Sequence, residues 1–188
     1  MIAATDERTS EIVGVAPYRF KRMISREEIH RHLRMVAARL REDYAERNPV
    51  FVGVLNGCFA FMADLVREVN IPCEVDFIRL SSYTTNMKPG PIRLVKDVDT
   101  DLAGRHVVVV EDIVDTGKSL DFLRDHLRRK KPASLVMATM FRKPSALAGG
   151  EQAEYVGMDI PDRFVVGYGL DYAHQWRYLA DLYARTDE

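Results

Sequence analysis

The sequence predicts an α/β fold: a mainly parallel twisted sheet flanked by helices. Three observations predict it. Apolar runs of strand length alternate with stretches of helical periodicity along the chain. Several of those runs are apolar at every position rather than at every second one, as strands covered on both faces are. The chain has 188 residues, 47% of them hydrophobic and 29% charged, an ordinary balance for one domain with a full core. No repeat, low-complexity tract or linker divides it, so residues 1–188 read as one domain.

The elements support this in order. "SREEIHRHLRMVAARLREDYAERN" opens on a capping box, Ser25 with Glu28. Ile29, Leu33, Val36, Ala37, Leu40 and Tyr44 then recur at helical spacing until Asn48-Pro49 stops the pattern. "VFVGVL", residues 50–55, is a buried strand; Gly57 follows, and a second helical pattern runs to Val69. Pro72 precedes the strand "CEVDFIRL". "SSYTTNMKPGP" is polar, holds two prolines and a glycine, and reads as a long loop. "RHVVVVED" is a strand, and "GKSLDFLRDHLRRK" a helix whose basic C-terminal end suits its dipole. "SLVMATMF" and "RFVVGYGL" are the last strand-like runs. In such an open sheet, ligands are expected at the C-terminal ends of the strands.

The totals narrow the function. With 27 basic and 28 acidic side chains the net charge is −1, which argues against a general nucleic-acid binder. The opening "MIAATDERTSEIVGV" lacks the basic start and apolar stretch of a signal peptide. No run approaches the ~18 apolar residues that span a bilayer. A cytosolic location and no membrane partner are expected. Cys58 and Cys73 form no C-x-x-C pair, so reduced thiols are expected and a structural zinc is not.

The chemistry concentrates in "VVVVEDIVDTGKSL", residues 107–120. Continuous β-branched residues deliver Glu111 and Asp112 to a strand end. Gly117 allows a tight turn, and the following helix start supplies free N–H groups and the positive end of its dipole. Thr116 and Ser119 add hydroxyl donors. A Walker A loop is excluded, because it needs a glycine where Asp112 stands. An ordinary strand–turn–helix with Asp115 as N-cap is the plain alternative. It leaves unexplained why two adjacent acids end a buried apolar strand, where unpaired carboxylates are costly. A ligand that is both polyol and anion accounts for both halves: the acids accept from vicinal hydroxyls and the turn holds a phosphate. A divalent cation would neutralise the rest.

"EDIVDTGKS" closely resembles the phosphoribosyl pyrophosphate signature of the purine type I phosphoribosyltransferases, in the form of their hypoxanthine-guanine branch. "VGVLNG", "VDFIRLSSY", "FRKPS" and "IPDRFVVGYGLDYAHQWR" match in the same order, from about residue 50 to 179. The resemblance implies the type I phosphoribosyltransferase fold, with a small hood formed by the terminal segments; residues 1 to about 20, which carry no motif, would be disordered or part of it. It implies transfer of the 5-phosphoribosyl group from phosphoribosyl pyrophosphate to hypoxanthine, and to guanine, with Mg2+ as cofactor, in a homodimer or homotetramer. A ligand sensor on the same fold and a xanthine-preferring enzyme are the alternatives. Against the sensor stand the presence of Asp115 and the lack of any helix-turn-helix segment or basic bias.

Residue by residue, the resemblance implies that Glu111 and Asp112 hold the ribose hydroxyls, partly through Mg2+. Asp115 would be the acid/base group near N7 of the purine, and Asp115, Thr116, Gly117, Lys118 and Ser119 would wrap the 5′-phosphate. Leu55, Asn56 and Gly57 would form the pyrophosphate loop, often with a cis peptide between the first two; from the residues alone they are a tight turn with free N–H groups. Ser82 and Tyr83 would belong to a mobile lid that excludes water. Lys143, by itself an ordinary solvated charge, would read the 6-oxo oxygen. Phe164 and Val165 look like strand core by pattern; the resemblance makes Phe164 the stacking partner of the base and gives Val165 its edge through the backbone. Asp171, a plain turn aspartate otherwise, would bind a second Mg2+ beside the base, and Arg177 would contact pyrophosphate. Cys58 and Trp176 read as packing residues, and Arg142 has no assigned role.

Overall fold

The computed structural model describes residues 11–15, 18–85, 88–143 and 152–186. Ser25 starts the first helix, α1 (Arg26–Tyr44), by accepting the Glu28 N–H at 3.3 Å, as the capping pattern requires. The face that α1 buries is Ile29, Leu33, Val36, Ala37, Leu40 and Tyr44, the six positions picked out by periodicity. Ahead of it lie β1 (Ile12–Val15) and β2 (Tyr18–Ile24). After it come β3 (Val50–Leu55), α2 (Phe59–Val69), β4 (Glu74–Thr85), β5 (Lys88–Lys96), β6 (His106–Val114), α3 (Lys118–Arg128) and β7 (Ser134–Arg142). The chain ends with β8 (Tyr155–Asp159), β9 (Val165–Val166) and β10 (Leu182–Arg185).

The larger sheet has the order β5-β4-β3-β6-β7-β8, parallel throughout except for the antiparallel pair β4 and β5. Its central strands explain their own composition. Phe51, Val108 and Val110 face one core with α1 and α2; Val50, Val52, Val54, Val107 and Val109 face another with Leu120, Leu123 and Leu127 of α3. Both faces are covered, so no position alternates to polar. The chain runs from β3 outward to β4, then returns to β6 on the other flank of β3. Between the ends of β3 and β6 the strand order reverses, which opens a crevice.

The terminal segments form a second, antiparallel sheet, β1-β2-β10-β9, around Val13, Phe20, Val166, Leu179 and Tyr183. It is the expected hood. No helix among the described residues is long and apolar enough to cross a membrane.

Two readings of the sequence need correction. Most of "SSYTTNMKPGP" is not loop: β4 continues to Thr85 and pairs with β5, Ser82 opposite Ile92 and Thr84 opposite Pro89. The prolines are tolerated because β5 is the sheet edge, where a missing N–H breaks no ladder. "RFVVGYGL" is strand only at Val165 and Val166. The chain then coils through left-handed conformations at Gly167 (φ 97°), Tyr168 (φ 47°) and Gly169 (φ 97°), which no strand accommodates.

Candidate active site

The floor of the crevice is built from the ends of the two central strands. β3 delivers a cis peptide, Leu55-Asn56, followed by Gly57. β6 delivers Glu111 and Asp112, both half-buried. The two meet: a Cβ added at Gly57 would lie 1.7 Å from Asp112 Oδ2, so only glycine lets this loop rest on the carboxylate. A Cβ at Gly169 would lie 2.1 Å from the Gly57 carbonyl oxygen, so the hood's coil rests on the same loop from the other side.

Burial, and then the neighbouring Asp112 charge, push Glu111 up to about 8. Burial also pushes Asp112 up to about 6, against donation from the Ile113 N–H at 2.9 Å and the nearby Arg177 cation. Arg177 donates to the Gly169 carbonyl at 2.7 Å and pairs with Asp171 at 2.6 Å; Asp171 also accepts from the His174 N–H at 2.8 Å. Thus Asp171 and Arg177, both expected in the site, form one locked pair beside Asp112. Two crevices of about 200 and 240 Å³ share Glu111, Asp112 and Ser119. A third, about 490 Å³, runs from Leu55, Asn56, Gly57 and Asp112 to Asp171 and Arg177.

The turn after β6 holds the second expected feature. Gly117 (φ 74°) occupies the N-cap position of α3 and supplies no side-chain acceptor, so the first-turn amides are left for an anion. Asp115, Thr116, Gly117 and Ser119 line the 240 Å³ crevice there, and Lys118 opens the helix. Asp115 does not cap the helix, which removes the plain alternative. Its Oδ1 stands 3.3 Å from the ammonium of Lys143, which β7 brings to its own C-terminal end. Lys143 is not a solvated charge: it is 6% exposed, and its backbone N–H donates to the Val114 carbonyl at 3.0 Å.

Phe164 is not core either. It is 45% exposed, with Tyr172 edge-on at 5.7 Å and Phe20 at 6.2 Å, so one face of the ring is backed by the hood and the rest is open. Val165 is buried. Trp176 packs on Phe20 at 5.1 Å, as expected of a structural residue. Cys58 is fully buried, and burial pushes its thiol well above the ordinary value, which makes it a packing residue rather than a nucleophile. The backbone of Ser82 and Tyr83 belongs to the β4 strand; their side chains, and with them the lid reading, lie outside the described residues. Arg142 gains a role, with two bonds of 2.6 and 3.0 Å to Asp159 joining the ends of β7 and β8.

Sequence reasoning missed Arg79, Ser81, His174 and Asp162. The first three line the crevice of about 490 Å³. Arg79 is mid-strand in β4 and reaches the crevice because it lies level with Leu55, the last residue of β3, a register the sequence does not display. Asp162, whose carboxylate is 3.5 Å from the Lys143 ammonium, had no usable signal either.

A profile of the phosphoribosyl transferase domain matches residues 25–173. A hypoxanthine phosphoribosyltransferase of Haemophilus influenzae is 45% identical over 84% of this chain and 90% of its own length. A hypoxanthine-guanine phosphoribosyltransferase of Bacillus subtilis is 39% identical over 85% and 89%. The crystal structure of a hypoxanthine-guanine phosphoribosyltransferase from Bacillus anthracis superposes with a TM-score of 0.81 at 38% identity, covering 88% of this chain and 96% of that one. The strand order, the paired acids above a glycine loop and these likenesses agree: the chain belongs to the phosphoribosyl transferase domain family, in its hypoxanthine-guanine phosphoribosyltransferase branch.

Proposed function

We propose that this chain transfers the 5-phosphoribosyl group of phosphoribosyl pyrophosphate to hypoxanthine and guanine, releasing pyrophosphate and the nucleoside monophosphate. One observation carries the reading at the level of chemistry: a single crevice gathers the paired acids, a helix-start anion seat and the exposed Asp115, whose carboxylate stands 3.3 Å from the buried Lys143 ammonium. The 5′-phosphate takes the amides of residues 116–119. The ribose hydroxyls donate to Glu111 and Asp112. The pyrophosphate takes the loop of Leu55, Asn56 and Gly57, with Arg177 alongside.

The purine meets Lys143 and Asp115. On a 6-oxopurine, the oxo acceptor and the N7–H donor are neighbours, and they match an ammonium donor beside a carboxylate acceptor. Adenine presents an amino donor to the lysine and is rejected. Phe164 offers its exposed ring to the base. In the reaction the N9 lone pair attacks C1 of the ribose, the C1–O bond breaks with its electrons going to pyrophosphate, and Asp115 takes the N7 proton. The carboxylates stabilise the positive charge that builds on the ribose.

Among the described residues no cluster of three or more His, Cys, Asp or Glu side chains forms a metal cage. Glu111, Asp112 and Asp171 instead offer hard oxygen donors around the crevice, which fits Mg2+ held partly by protein and partly by substrate oxygens. Bound there, Mg2+ would offset the charge of the departing pyrophosphate. A cytosolic homodimer or homotetramer belongs to the same reading and rests on the family likeness. Pyrophosphate release measured with Mg2+ and a panel of bases tests the proposal. Turnover with hypoxanthine and guanine and none with adenine is expected; no turnover with any purine overturns it and favours a sensor.

A further inference from the structure

We propose that Asp162 is a positioning residue for the purine: it keeps the Lys143 ammonium on the 6-oxo side of the base while Asp115 attends to the N7 proton. The inference rests on the transferase reading above. Lys143 Nζ lies between two carboxylates, Asp115 Oδ1 at 3.3 Å and Asp162 Oδ1 at 3.5 Å, in a side chain only 8% exposed. Those carboxylates come from different parts of the fold, one from the turn between β6 and α3, the other from the segment between β8 and β9.

The chemistry separates their duties. Asp115 cannot bond the ammonium and the N7 proton with the same lone pair, and once protonated it brings no charge to Lys143. A buried ammonium stripped of its counter-charge is costly, and a lysine stem is flexible enough to swing away from the base. Asp162 supplies the second counter-charge. Its segment is pinned to β7, with the Ile160 N–H on the Arg142 carbonyl at 2.8 Å, and a tight turn follows, with the Arg163 N–H on the Pro161 carbonyl at 2.8 Å. Two residues later the same segment presents Phe164. One turn therefore sets both the cation that reads the base edge and the ring that meets its face. The contact is not needed merely to hold the strand ends together, because the Arg142–Asp159 pair already joins them.

Steady-state kinetics of Asp162→Asn, Asp162→Glu, Lys143→Ala and the double variant Lys143→Ala/Asp162→Asn test this, with Asp159→Asn as the control for a purely structural strap. A charge-assisted contact partly screened by solvent predicts that Asp162→Asn raises KM for hypoxanthine about tenfold, with KM for phosphoribosyl pyrophosphate within about twofold of the parent. Asp162→Glu should recover most of the loss. Lys143→Ala should raise KM for hypoxanthine and guanine, and adding Asp162→Asn to it should change nothing further. Should the Asn variant fail to fold, Asp162→Ser carries the same comparison. Parental KM in Asp162→Asn, an undiminished effect of that change on the Lys143→Ala background, or the same KM rise in Asp159→Asn overturns the positioning role. A parent enzyme inactive with every 6-oxopurine overturns the transferase reading itself, so the two failures are distinguishable.

Discussion

Replacing Glu111 by glutamine should make the ligand-free, metal-free protein more stable and a poorer transferase. Burial, and then the charge of Asp112, lift Glu111 from an ordinary 4.5 to about 8, so the folded protein holds this proton more tightly than the unfolded chain does. The stability contributed by the group is therefore fully present below pH 4.5 and is lost as pH climbs through about 8. At 1.36 kcal/mol per pH unit, the interval from 4.5 to about 8 sets an upper bound of about 5 kcal/mol. Water reaches the crevice and screens the carboxylate, so about 2 kcal/mol is the expected size. For a chain of this length that corresponds to a rise in Tm of about 4–8 °C. Thermal melts of both proteins at pH 5, 7 and 9 measure it. The glutamine variant should gain little at pH 5, more at pH 7, and reach a plateau above pH 8. A Tm difference that is the same at every pH, or a parent protein that overtakes the variant at pH 9, refutes the reasoning. Because the same carboxylate is proposed to hold the ribose, the variant should also bind phosphoribosyl pyrophosphate more weakly.

Two further outcomes follow from the same geometry. Asp115→Asn should lower kcat by about 10²–10⁴ while leaving the dissociation constant of phosphoribosyl pyrophosphate within a few-fold, read by single-turnover kinetics and equilibrium binding; equal losses in both remove Asp115 from the proton-transfer role. Gly57→Ala places a methyl 1.7 Å from Asp112 Oδ2, so loop and carboxylate must part. Its kcat/KM for phosphoribosyl pyrophosphate should fall by at least about tenfold while overpacking lowers stability by about 1–3 kcal/mol, and parental kinetics would show that the contact is dispensable.

What the sequence showed and what it hid divide along physical lines. The buried face of α1, the doubly covered strands β3 and β6 and the glycine turn that starts α3 were legible because each is a local pattern: a 3.6-residue period, an unbroken apolar run, a glycine at a helix start. The β4–β5 hairpin was hidden because edge strands need no continuous apolar face and tolerate proline. The coil through Gly167 and Gly169 was hidden because its cause is distant: the Asp181 and Gly57 carbonyl oxygens that any Cβ there would strike. Lys143 looked solvated for the same reason. The carboxylates that accompany it, Asp115 and Asp162, lie 28 positions before it and 19 after it in the chain. Phe164 hid in the other direction: by pattern alone a ring in an apolar run looks like core, and only the fold leaves it exposed.

The division of the site between two sheets follows from what each part must do. The acids and the glycine loop sit on β3 and β6, whose residues Val50, Phe51, Val52 and Val107 to Val110 are fully buried. Strands packed on both faces cannot shift without opening two cores, so the floor keeps its geometry against the repulsion of its own carboxylates. Of the groups proposed for the base, Lys143 and Asp115 stand at the C-terminal ends of β7 and β6, while Phe164 just before β9, Val165 within it and Asp171 on the coil that rests on Gly57 belong to the terminal hood, as does Arg177, proposed for pyrophosphate. β9 is two residues long, and its sheet is completed by β10 from the C-terminal end and β2 from the N-terminal end. On the proposed reading, the sugar-phosphate contacts and the reading of the base edge fall to the main sheet, and the ring that meets the base falls to a hood that both terminal segments complete. A binding module that merely sensed a sugar phosphate would need the floor alone. The hood's aromatic face and the lysine–carboxylate pair beneath it are what a second substrate requires.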